Sequence, residues 1–292
     1  MKRLFCAAFV CGLALASLTT FAADKRLLII AGRPSHPPGA HEFRAGCLLL
    51  QQCLAGVPGL TTLVYSNGWP QEASAFDGAD AVVTYADGGG GHPFIQRDRL
   101  KFVGELIQKG VGFGAMHYAC EVPGTNGGPQ WLEWIGGYYE HLYSVNPMWT
   151  PEFNTFPDHP VTRGVKPFGV LDEWYFNLRW RADLKPVTPI LVAKPSDKVR
   201  QGPYVWPAGP YPHIVEASGR DETMMWVMER KDGGRGFGFT GGHYHKNWGD
   251  ANCRKVVLNA MLWIAKMDVP AAGVESAVPP ADLDKNLDPK KR

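Results

Sequence analysis

Residues 79–119, ADAVVTYADGGGGHPFIQRDRLKFVGELIQKGVGFGAMHYA, contain the pattern that decides the fold. Residues 79–85 form a short apolar run that is typical of a buried strand, and residues 97–109 have the apolar spacing of a helix that Gly110 ends. Residues 111–116 are a second run of the strand type. A strand, a helix and another strand in this order indicate a parallel sheet, because parallel strands need a crossover connection.

The same alternation continues on both sides of this stretch. The N-terminal part contains predicted strands at 26–31 and 60–65, with a helix at 43–54 between them. The second half is less regular, and its pattern predicts helices at 131–137 and 252–265 and strands at 152–156, 189–193, 213–216, 224–229 and 236–240. We therefore predict a single α/β domain with one doubly wound, mostly parallel sheet, flanked by helices and interrupted by an irregular, strand-rich insertion in the second half.

The two ends of the chain are predicted to lie outside this domain, which spans residues 24–268. Lys2 and Arg3 precede an apolar run, and Ala22 supplies a small side chain for cleavage, so residues 1–23 are predicted to be a signal peptide. The expected location is therefore periplasmic or secreted. The apolar run falls short of the roughly 20 residues that a membrane helix needs, and no later segment reaches that length. Residues 269–292, with their prolines and charges, are predicted to be an extended or disordered tail.

Charge and cysteine content exclude two classes of protein. The chain has 30 Lys and Arg residues against 28 Asp and Glu residues, without a basic stretch of the kind that binds nucleic acid. Of the six cysteines, Cys6 and Cys11 belong to the predicted signal peptide. The others lack the CxxC spacing of a zinc or redox motif, and the sequence leaves their disulfide state open; they are Cys47, Cys53, Cys120 and Cys253.

Polar residues follow the predicted strands at the positions where each strand ends. Ligands of open parallel sheets bind beyond the carboxyl ends of the strands, so these residues are candidates for one site. They are His36, His41 and Glu42 after the first strand, Asp87, glycines 88–91 and His92 after the third, His117, Tyr118 and Glu121 after the fourth, and His243 and His245 after the last. A single loop histidine is more often structural than functional, but the convergence of so many favours a site.

The segment at 111–119 runs from a strand directly into a turn, which is the geometry of a nucleophile elbow. His117 occupies the turn, where a histidine can act as general acid or base or bind a metal, with His243 or His245 as its partner. Cys120 is badly placed to act as the nucleophile, and the pattern favours a buried thiol there.

Two further segments combine aromatic rings with carboxylates and amides. Residues 138–149 include Trp149, and residues 172–177 include Glu173 and Tyr175. This mixture suits stacking on a sugar ring with hydrogen bonds to its hydroxyls, although packing of aromatic residues at the sheet edge is an equally good explanation.

Several long motifs resemble those of one family. They are SHPPGAHEF at 35–43, YADGGGGHP at 85–93, AMHYA at 115–119, DHPVTRGV at 158–165, DEWYFN at 172–177 and GFTGGHYHKNWGD at 238–250. From about residue 27 to residue 265, the chain resembles the ThuA-like (trehalose-utilisation) family, which has the class I glutamine amidotransferase-like fold, a flavodoxin-like architecture. The resemblance implies that His117 stands where amidotransferases have cysteine and that His243 or His245 stands where they have histidine, so glutamine hydrolysis is not expected.

The resemblance implies carbohydrate metabolism, with trehalose-like disaccharides, glycosides or 3-keto-sugars as substrates. The resulting hypothesis is an exported enzyme that isomerises, hydrolyses or eliminates such a sugar by histidine acid/base or metal-assisted chemistry. Its predicted catalytic residues are His117, His243 and Glu121, and the candidate ligands of a divalent metal such as zinc are His41, His117, His243 and His245. The predicted substrate-binding residues are Asp87, Gly88, Gly89, His92, Tyr118, Trp149, Glu173, Tyr175 and Trp248.

Other functions stay open at this stage. A non-catalytic carbohydrate-binding module would use the same aromatic and glycine loops, and its histidines would be scattered rather than gathered. A third alternative is a hydrolase that uses Cys120 as its nucleophile. No nucleotide is expected, because the glycine run lacks the Walker lysine and the GxGxxG spacing. The expected partner is a small carbohydrate, without nucleic acid or membrane insertion, and a homo-oligomer is left open.

Overall fold

The structure, a computed structural model, describes residues 24–290, so the predicted signal peptide lies outside the described residues. A sheet of seven strands forms its centre. The first four strands of the chain are parallel to their neighbours in this sheet. They are β1 (Lys25–Ala31), β2 (Leu60–Tyr65), β3 (Ala81–Tyr85) and β4 (Gly112–Met116).

Two short ribbons form the predicted insertion. β5 (Gly137–Tyr138) pairs with β8 (Arg179–Trp180), and β6 (Met148–Trp149) pairs with β7 (Asp172–Glu173). The chain then returns to the main sheet with β9 (Val187–Ala193), β10 (Glu222–Glu229) and β11 (Arg235–Phe239). The order in the sheet is β2-β1-β3-β4-β11-β10-β9, with β11 parallel to β4 and β10 antiparallel to both neighbours. The predicted α/β class with a mostly parallel sheet is confirmed.

The carboxyl ends of four adjacent parallel strands lie side by side. Ala31 pairs with Tyr85, Tyr85 pairs with Met116, and Met116 pairs with Phe239. The loops that follow β1, β3, β4 and β11 therefore leave the sheet at the same edge. This register brings together residues that are far apart in the sequence.

Helices cover both faces of the sheet. They are α1 (Phe43–Leu54), α2 (Arg99–Gln108), α3 (Gly128–Trp134), α4 (Asp197–Arg200), α5 (Pro212–Val215) and α6 (Ala251–Ile264). Side chains of α1 and α6 belong to one apolar core, together with Leu27 and Ile29 of β1. Side chains of α2 and α3 belong to a second core, together with Leu28 and Ile30. Successive residues of a strand point to opposite faces, so a continuous apolar run stabilises both cores, by about 1.5–3 kcal/mol for each fully buried Leu or Ile.

Two predicted strands are wrong. Residues 213–216 lie in or directly after the short helix α5, because Pro212 at its first turn favours helical backbone. Residues 152–156 contribute only an isolated bridge between Phe153 and Phe168. The predicted helix at 131–137 begins earlier, at Gly128, and ends at Trp134, where the chain turns through Gly136 with a positive φ of 90°.

The C-terminal segment at 269–290 packs along the domain. It contains a single 3-10 turn at Pro280–Asp284, and Val274 is buried in the core. The four cysteines of the described chain, which the sequence left open, are free thiols. Within residues 24–290, no helix has the length and hydrophobicity to cross a membrane.

Candidate functional site

His117 stands on the sharp turn that follows β4. Its backbone has a positive φ of 54°, which is rare for a residue other than glycine, and its side chain is fully buried. The ring Nδ1 donates a hydrogen bond to the backbone oxygen of Thr240 at 2.9 Å. The elbow predicted from the sequence is therefore present, and this hydrogen bond leaves the other ring nitrogen of His117 facing the centre of the site.

Four side chains from four segments converge at this centre. His41 Nε2 lies 3.0 Å from His117 Nε2 and 3.0 Å from His243 Nδ1. Glu173 Oε2 lies 2.6 Å from His243 Nδ1 and 3.7 Å from His117 Nε2. One ligand atom from each residue lies within 4.8 Å of all the others, and all four residues are buried. We refer to His41, His117, Glu173 and His243 as the histidine cluster.

Hydrogen bonds behind the cluster orient two of the rings. His41 Nδ1 donates to the carboxylate of Asp87 at 2.9 Å, as His117 Nδ1 donates to Thr240. With both Nδ1 atoms protonated, the Nε2 atoms of neutral His41 and His117 direct lone pairs at each other across 3.0 Å. Burial lowers the pKa of both imidazoles, and the charges of neighbouring histidines lower it further. Neither ring therefore readily takes up a second proton.

The residues present therefore fit a divalent cation. Facing lone pairs repel each other, and a cation between them removes the repulsion. Imidazole nitrogens held by a carboxylate or a carbonyl on the opposite nitrogen are the usual ligands of transition metals in proteins. Glu173 adds a negative charge that offsets the charge of a cation, and its other oxygen accepts a hydrogen bond from Asn146 at 2.7 Å.

Asp172 holds the loop that carries His243. Its buried carboxylate accepts hydrogen bonds from the backbone N–H groups of Gly242 at 2.8 Å and His243 at 3.0 Å and from the side chain of Asn247 at 3.0 Å. Burial raises the pKa of this carboxyl, whereas the hydrogen bonds lower it. Asp172 and Glu173 are adjacent in β7, so one short strand both supplies a cluster residue and positions the loop of another.

Glu42, which precedes α1, holds the His41 loop from behind. It accepts hydrogen bonds from the backbone of Gly39 and of Asp288, both at 2.9 Å, and it pairs with Lys290 Nζ at 3.2 Å. Lys290 also donates to the backbone oxygens of Ala40 and His41. The C-terminal segment is thus bound to the loop that supplies a cluster histidine, and Glu42 supports the site without entering it.

A cavity of about 430 Å³ opens beside the cluster. His41, Glu173 and Tyr175, which are buried, line it together with Tyr118 and Glu121. The other residues that line it are His36, Gly89, Gly90, His141, Asn146, Val205 and Trp206. It combines carboxylate, amide, imidazole and aromatic groups, which suits a small polar molecule.

Glu121 is the residue of this cavity best suited to proton transfer. Burial, and then the charge of Glu173, raises the pKa of its carboxyl to about 7. The backbone oxygen of Glu121 accepts a hydrogen bond from Gly89 at 3.0 Å. A side chain at Gly88 would place its Cβ 2.0 Å from the backbone oxygen of Tyr118, so only glycine allows the two loops to approach each other here.

The structure brings together some of the predicted site residues. His41, His117 and His243 form the cluster, while Gly89, Tyr118, Glu121, Glu173 and Tyr175 line the cavity. Tyr175 lies with its hydroxyl 3.3 Å from His117 Nε2. Asp87 lies behind His41, and Gly88 provides the close approach described above.

Other predicted residues have different positions. His245 begins a 3-10 turn and lines a separate cavity with Gly39 and Leu283, so the structure does not bring it to the cluster. His92 is buried and accepts a hydrogen bond from the backbone of Phe94 at 3.0 Å. The two tryptophans lie in the core: Trp149 donates to the backbone oxygen of Trp174, and Trp248 packs against Tyr85 and Phe239.

Sequence reasoning missed Trp206, which is 71% exposed at the mouth of the cavity. Its loop is tied to Asn146, which accepts hydrogen bonds from the backbones of Val205 and Trp206, both at 3.2 Å. The signal was present in the sequence, because a tryptophan between the prolines and glycines of residues 202–210 indicates a loop position.

Cys120 is not suited to act as a nucleophile. Its thiol is fully buried, donates to the backbone oxygen of Ala115 at 3.3 Å, and has a pKa raised by burial to about 12. A thiol with such a pKa is almost entirely protonated at neutral pH, whereas the thiolate is the reactive species.

Comparisons with known proteins agree with this fold. A crystal structure of a ThuA-like protein from Bacteroides uniformis superposes with a TM-score of 0.58 at 16% identity, over 87% of this chain and 97% of that one. One from Parabacteroides merdae superposes with a TM-score of 0.54 at 16% identity, over 85% and 92%. At this identity the two structures show the fold alone. A search of curated proteins found no match.

The family model described as trehalose utilisation matches residues 66–264. This range contains three residues of the cluster, His117, Glu173 and His243, together with the cavity residues Tyr118 and Glu121. His41 lies before it. Because the match covers more than half of the chain, the protein belongs to the trehalose-utilisation (ThuA) family, and this membership indicates a carbohydrate-related function.

Proposed function

We propose that the protein is an exported enzyme that transforms a small carbohydrate at the histidine cluster with the help of a bound divalent cation. The observation that carries the proposal is the convergence of three imidazoles and one carboxylate within 4.8 Å, beside a polar cavity. Such a gathering of buried polar groups is costly for a fold unless a ligand or a reaction uses it.

His41, His117, His243 and Glu173 would hold the cation. A donor set of imidazoles and one carboxylate suits zinc and neighbouring first-row metals. When bound, the cation would polarise an oxygen atom of the substrate. Asp87 and Thr240 keep the rings of His41 and His117 in the orientation that this requires.

Glu121 would act as the general base or acid. Its pKa of about 7 allows it to exchange protons at neutral pH, and it lines the same cavity as the cluster. Tyr118 lines the cavity next to it, and burial raises the pKa of its hydroxyl to about 12, so this group remains a hydrogen-bond donor. Proton transfer at a carbon next to a carbonyl needs one polarised oxygen and one base, which makes a keto-sugar the substrate that this arrangement suits best.

Trp206 would provide a stacking surface for the sugar. Its exposed ring lies at the cavity mouth, and the apolar face of a sugar ring packs well on an aromatic face. Asn146 links this loop to Glu173, since it accepts from Trp206 and donates to Glu173. A module that merely binds sugar would need the tryptophan but not the three buried histidines that face one another, so the geometry favours the enzyme.

The test combines metal analysis with activity on keto-sugars. We expect purified protein to contain about one equivalent of a transition metal and to convert 3-keto-trehalose or a related 3-keto-glycoside. His117→Ala should fold, lose the metal and lose turnover, because it removes a central ligand. His245→Ala is the matched control, since this buried histidine lies outside the cluster, and it should keep both properties. Full turnover by His117→Ala would refute the proposal.

A further inference from the structure

A second pocket lies across the loop at 87–91 from the site cavity. Gly89 and Gly90 line the site cavity, whereas Asp87 and Gly91 line the second pocket. The second pocket has a volume of about 530 Å³. Three arginines line it: Arg33 after β1, Arg97 just before α2 and Arg99 at the start of α2. We call it the arginine pocket.

These arginines have few partners within the protein. Among residues 24–290, the side chains of Arg33 and Arg97 form no hydrogen bond, and none of the three arginines forms an ion pair. Arg99 donates to the backbone oxygen of Pro93 at 2.8 Å and lies over the ring of Trp69 at 5.0 Å. Every other arginine in the described part of the chain donates at least one side-chain hydrogen bond.

One carboxylate, that of Asp87, lines the arginine pocket beside the three arginines. This carboxylate already accepts a hydrogen bond from His41 Nδ1 at 2.9 Å. Glu72 and Asp98 line only a larger outer cavity of about 1050 Å³, which the same arginines also border. Burial, and then the charge of Arg97, lowers the pKa of Arg99, whereas the charge of Asp98 raises it. An anion among these groups would offset their mutual repulsion.

We propose that the arginine pocket binds an oxyanion group carried by a small molecule. A guanidinium group offers parallel N–H donors that match the oxygens of a carboxylate, sulfate or phosphate. Asn67 and Gln96 add amide groups to the lining, and Trp69 adds an aromatic wall, which together suit a sugar ring. An acidic sugar is therefore the ligand class that the lining fits best, and the inference does not depend on the reaction proposed for the histidine cluster.

Calorimetric titration of the full mature chain tests this proposal without any need for turnover. The probes are glucuronate, inorganic phosphate and sulfate, with glucose as the neutral counterpart of glucuronate. We expect glucuronate to bind and glucose not to bind. The double variant Arg33→Gln/Arg97→Gln should weaken binding at least ~10-fold, because it removes two charge-assisted contacts. Lys198→Gln/Lys231→Gln removes the same charge from exposed positions elsewhere and should leave binding unchanged.

The probes also distinguish the sources of the oxyanion. Phosphate or sulfate binding that matches glucuronate and disappears in the arginine variant would support the pocket and assign it to a free inorganic anion. Two results would overturn the proposal: the absence of binding by all three anions, or glucuronate binding that the arginine variant retains and His117→Ala loses. Circular dichroism and melting curves establish that each variant is folded.

Discussion

Asp87 determines which nitrogen of His41 faces the histidine cluster. Its carboxylate accepts the proton of His41 Nδ1 at 2.9 Å, and the ring of His36 stacks on the other side of His41 with centroids 3.5 Å apart. These contacts restrict the rotation of the His41 ring and select the tautomer whose Nε2 carries the lone pair. At the scale of single residues, the orientation of a metal ligand thus depends on Asp87, which would not contact the cation itself.

We predict that Asp87→Asn weakens metal binding without unfolding the protein. Loss of such a supporting carboxylate typically lowers metal affinity about 10–100-fold. Competition with a chelator would measure the affinity, and Asp98→Asn, an exposed carboxylate outside the cluster, serves as the control. Equal affinities for the two variants would show that Asp87 has no orienting role.

Glu121 should produce an ionisation near pH 7 in the activity profile. If it acts as the base, turnover rises as the pH passes its pKa of about 7, because only the carboxylate form accepts a proton. Glu121→Gln should lower turnover about 10²–10⁴-fold and remove this ionisation from the profile. The measurement is the dependence of kcat on pH, and an unchanged profile in the variant would exclude Glu121 as the base.

The same pKa predicts an effect on stability in metal-free protein. Folding raises the pKa of Glu121 from 4.5 to about 7, so the folded state favours the neutral acid. Its contribution to stability is fully present below pH 4.5 and is lost as the pH rises through 7. Glu121→Gln should therefore be more stable than wild type by about 1–3 kcal/mol at pH 8 and equally stable at pH 4, as measured by urea unfolding.

At the scale of elements, the C-terminal segment supports the loop between β1 and α1. Glu42 and Lys290 are both nearly inaccessible to solvent, with side-chain exposures of 1% and 5%. Lys285 and Asp282 form a comparable ion pair in the same segment, but the lysine is 62% exposed. The Glu42–Lys290 and Asp282–Lys285 pairs differ mainly in burial, so comparing them isolates the effect of burial on stability.

We predict that Lys290→Met lowers the free energy of unfolding by about 3 kcal/mol, because it leaves the buried carboxylate of Glu42 without its partner. Lys285→Met should change it by less than about 1 kcal/mol, as is usual for exposed pairs. Urea unfolding measures both values. Metal affinity should fall in Lys290→Met alone, since the His41 loop loses its support, and equal effects of the two substitutions would contradict the role of the segment.

The elements of the parallel half were predictable because each carries a strong local signal. The apolar run of β1 is buried on both faces, and Gly110 ends the helical region before β4. The antiparallel half was harder, since its order in the sheet depends on pairing between distant segments. Residues 213–216 were mistaken for a strand because four residues give too short a window to separate strand from helix.

The site was predictable where a residue lies in the loop that follows a parallel strand. His41, His117 and His243 follow β1, β4 and β11, and the sheet register brings them together. His245, two positions beyond His243, was also predicted as a ligand, but there the chain turns into a 3-10 helix and carries the ring away. The role of Glu173 in the cluster depends on how the insertion folds over the sheet edge, for which local sequence gives no signal. Trp206 was missed although the prolines and glycines around it indicate a loop.

At the scale of the whole molecule, the N-terminal sequence makes a prediction about location. Residues 1–23 have the features of a signal peptide, and we expect the mature chain to begin at or near Asp24 and to be found in the periplasm or the medium. Cell fractionation followed by N-terminal sequencing measures both. Recovery of a cytoplasmic chain that retains residue 1 would contradict the proposed export.

The residues of the cluster come from distant parts of the polypeptide, because His41 and His243 are 202 positions apart in a chain of 292 residues. During synthesis a nascent chain therefore has no metal-binding centre until its last strand has entered the sheet. Cation uptake would then be a late event that reports complete maturation. The amount of metal that resists a chelator would then measure the fraction of correctly folded molecules. Circular dichroism alone would not distinguish these molecules from partly folded ones.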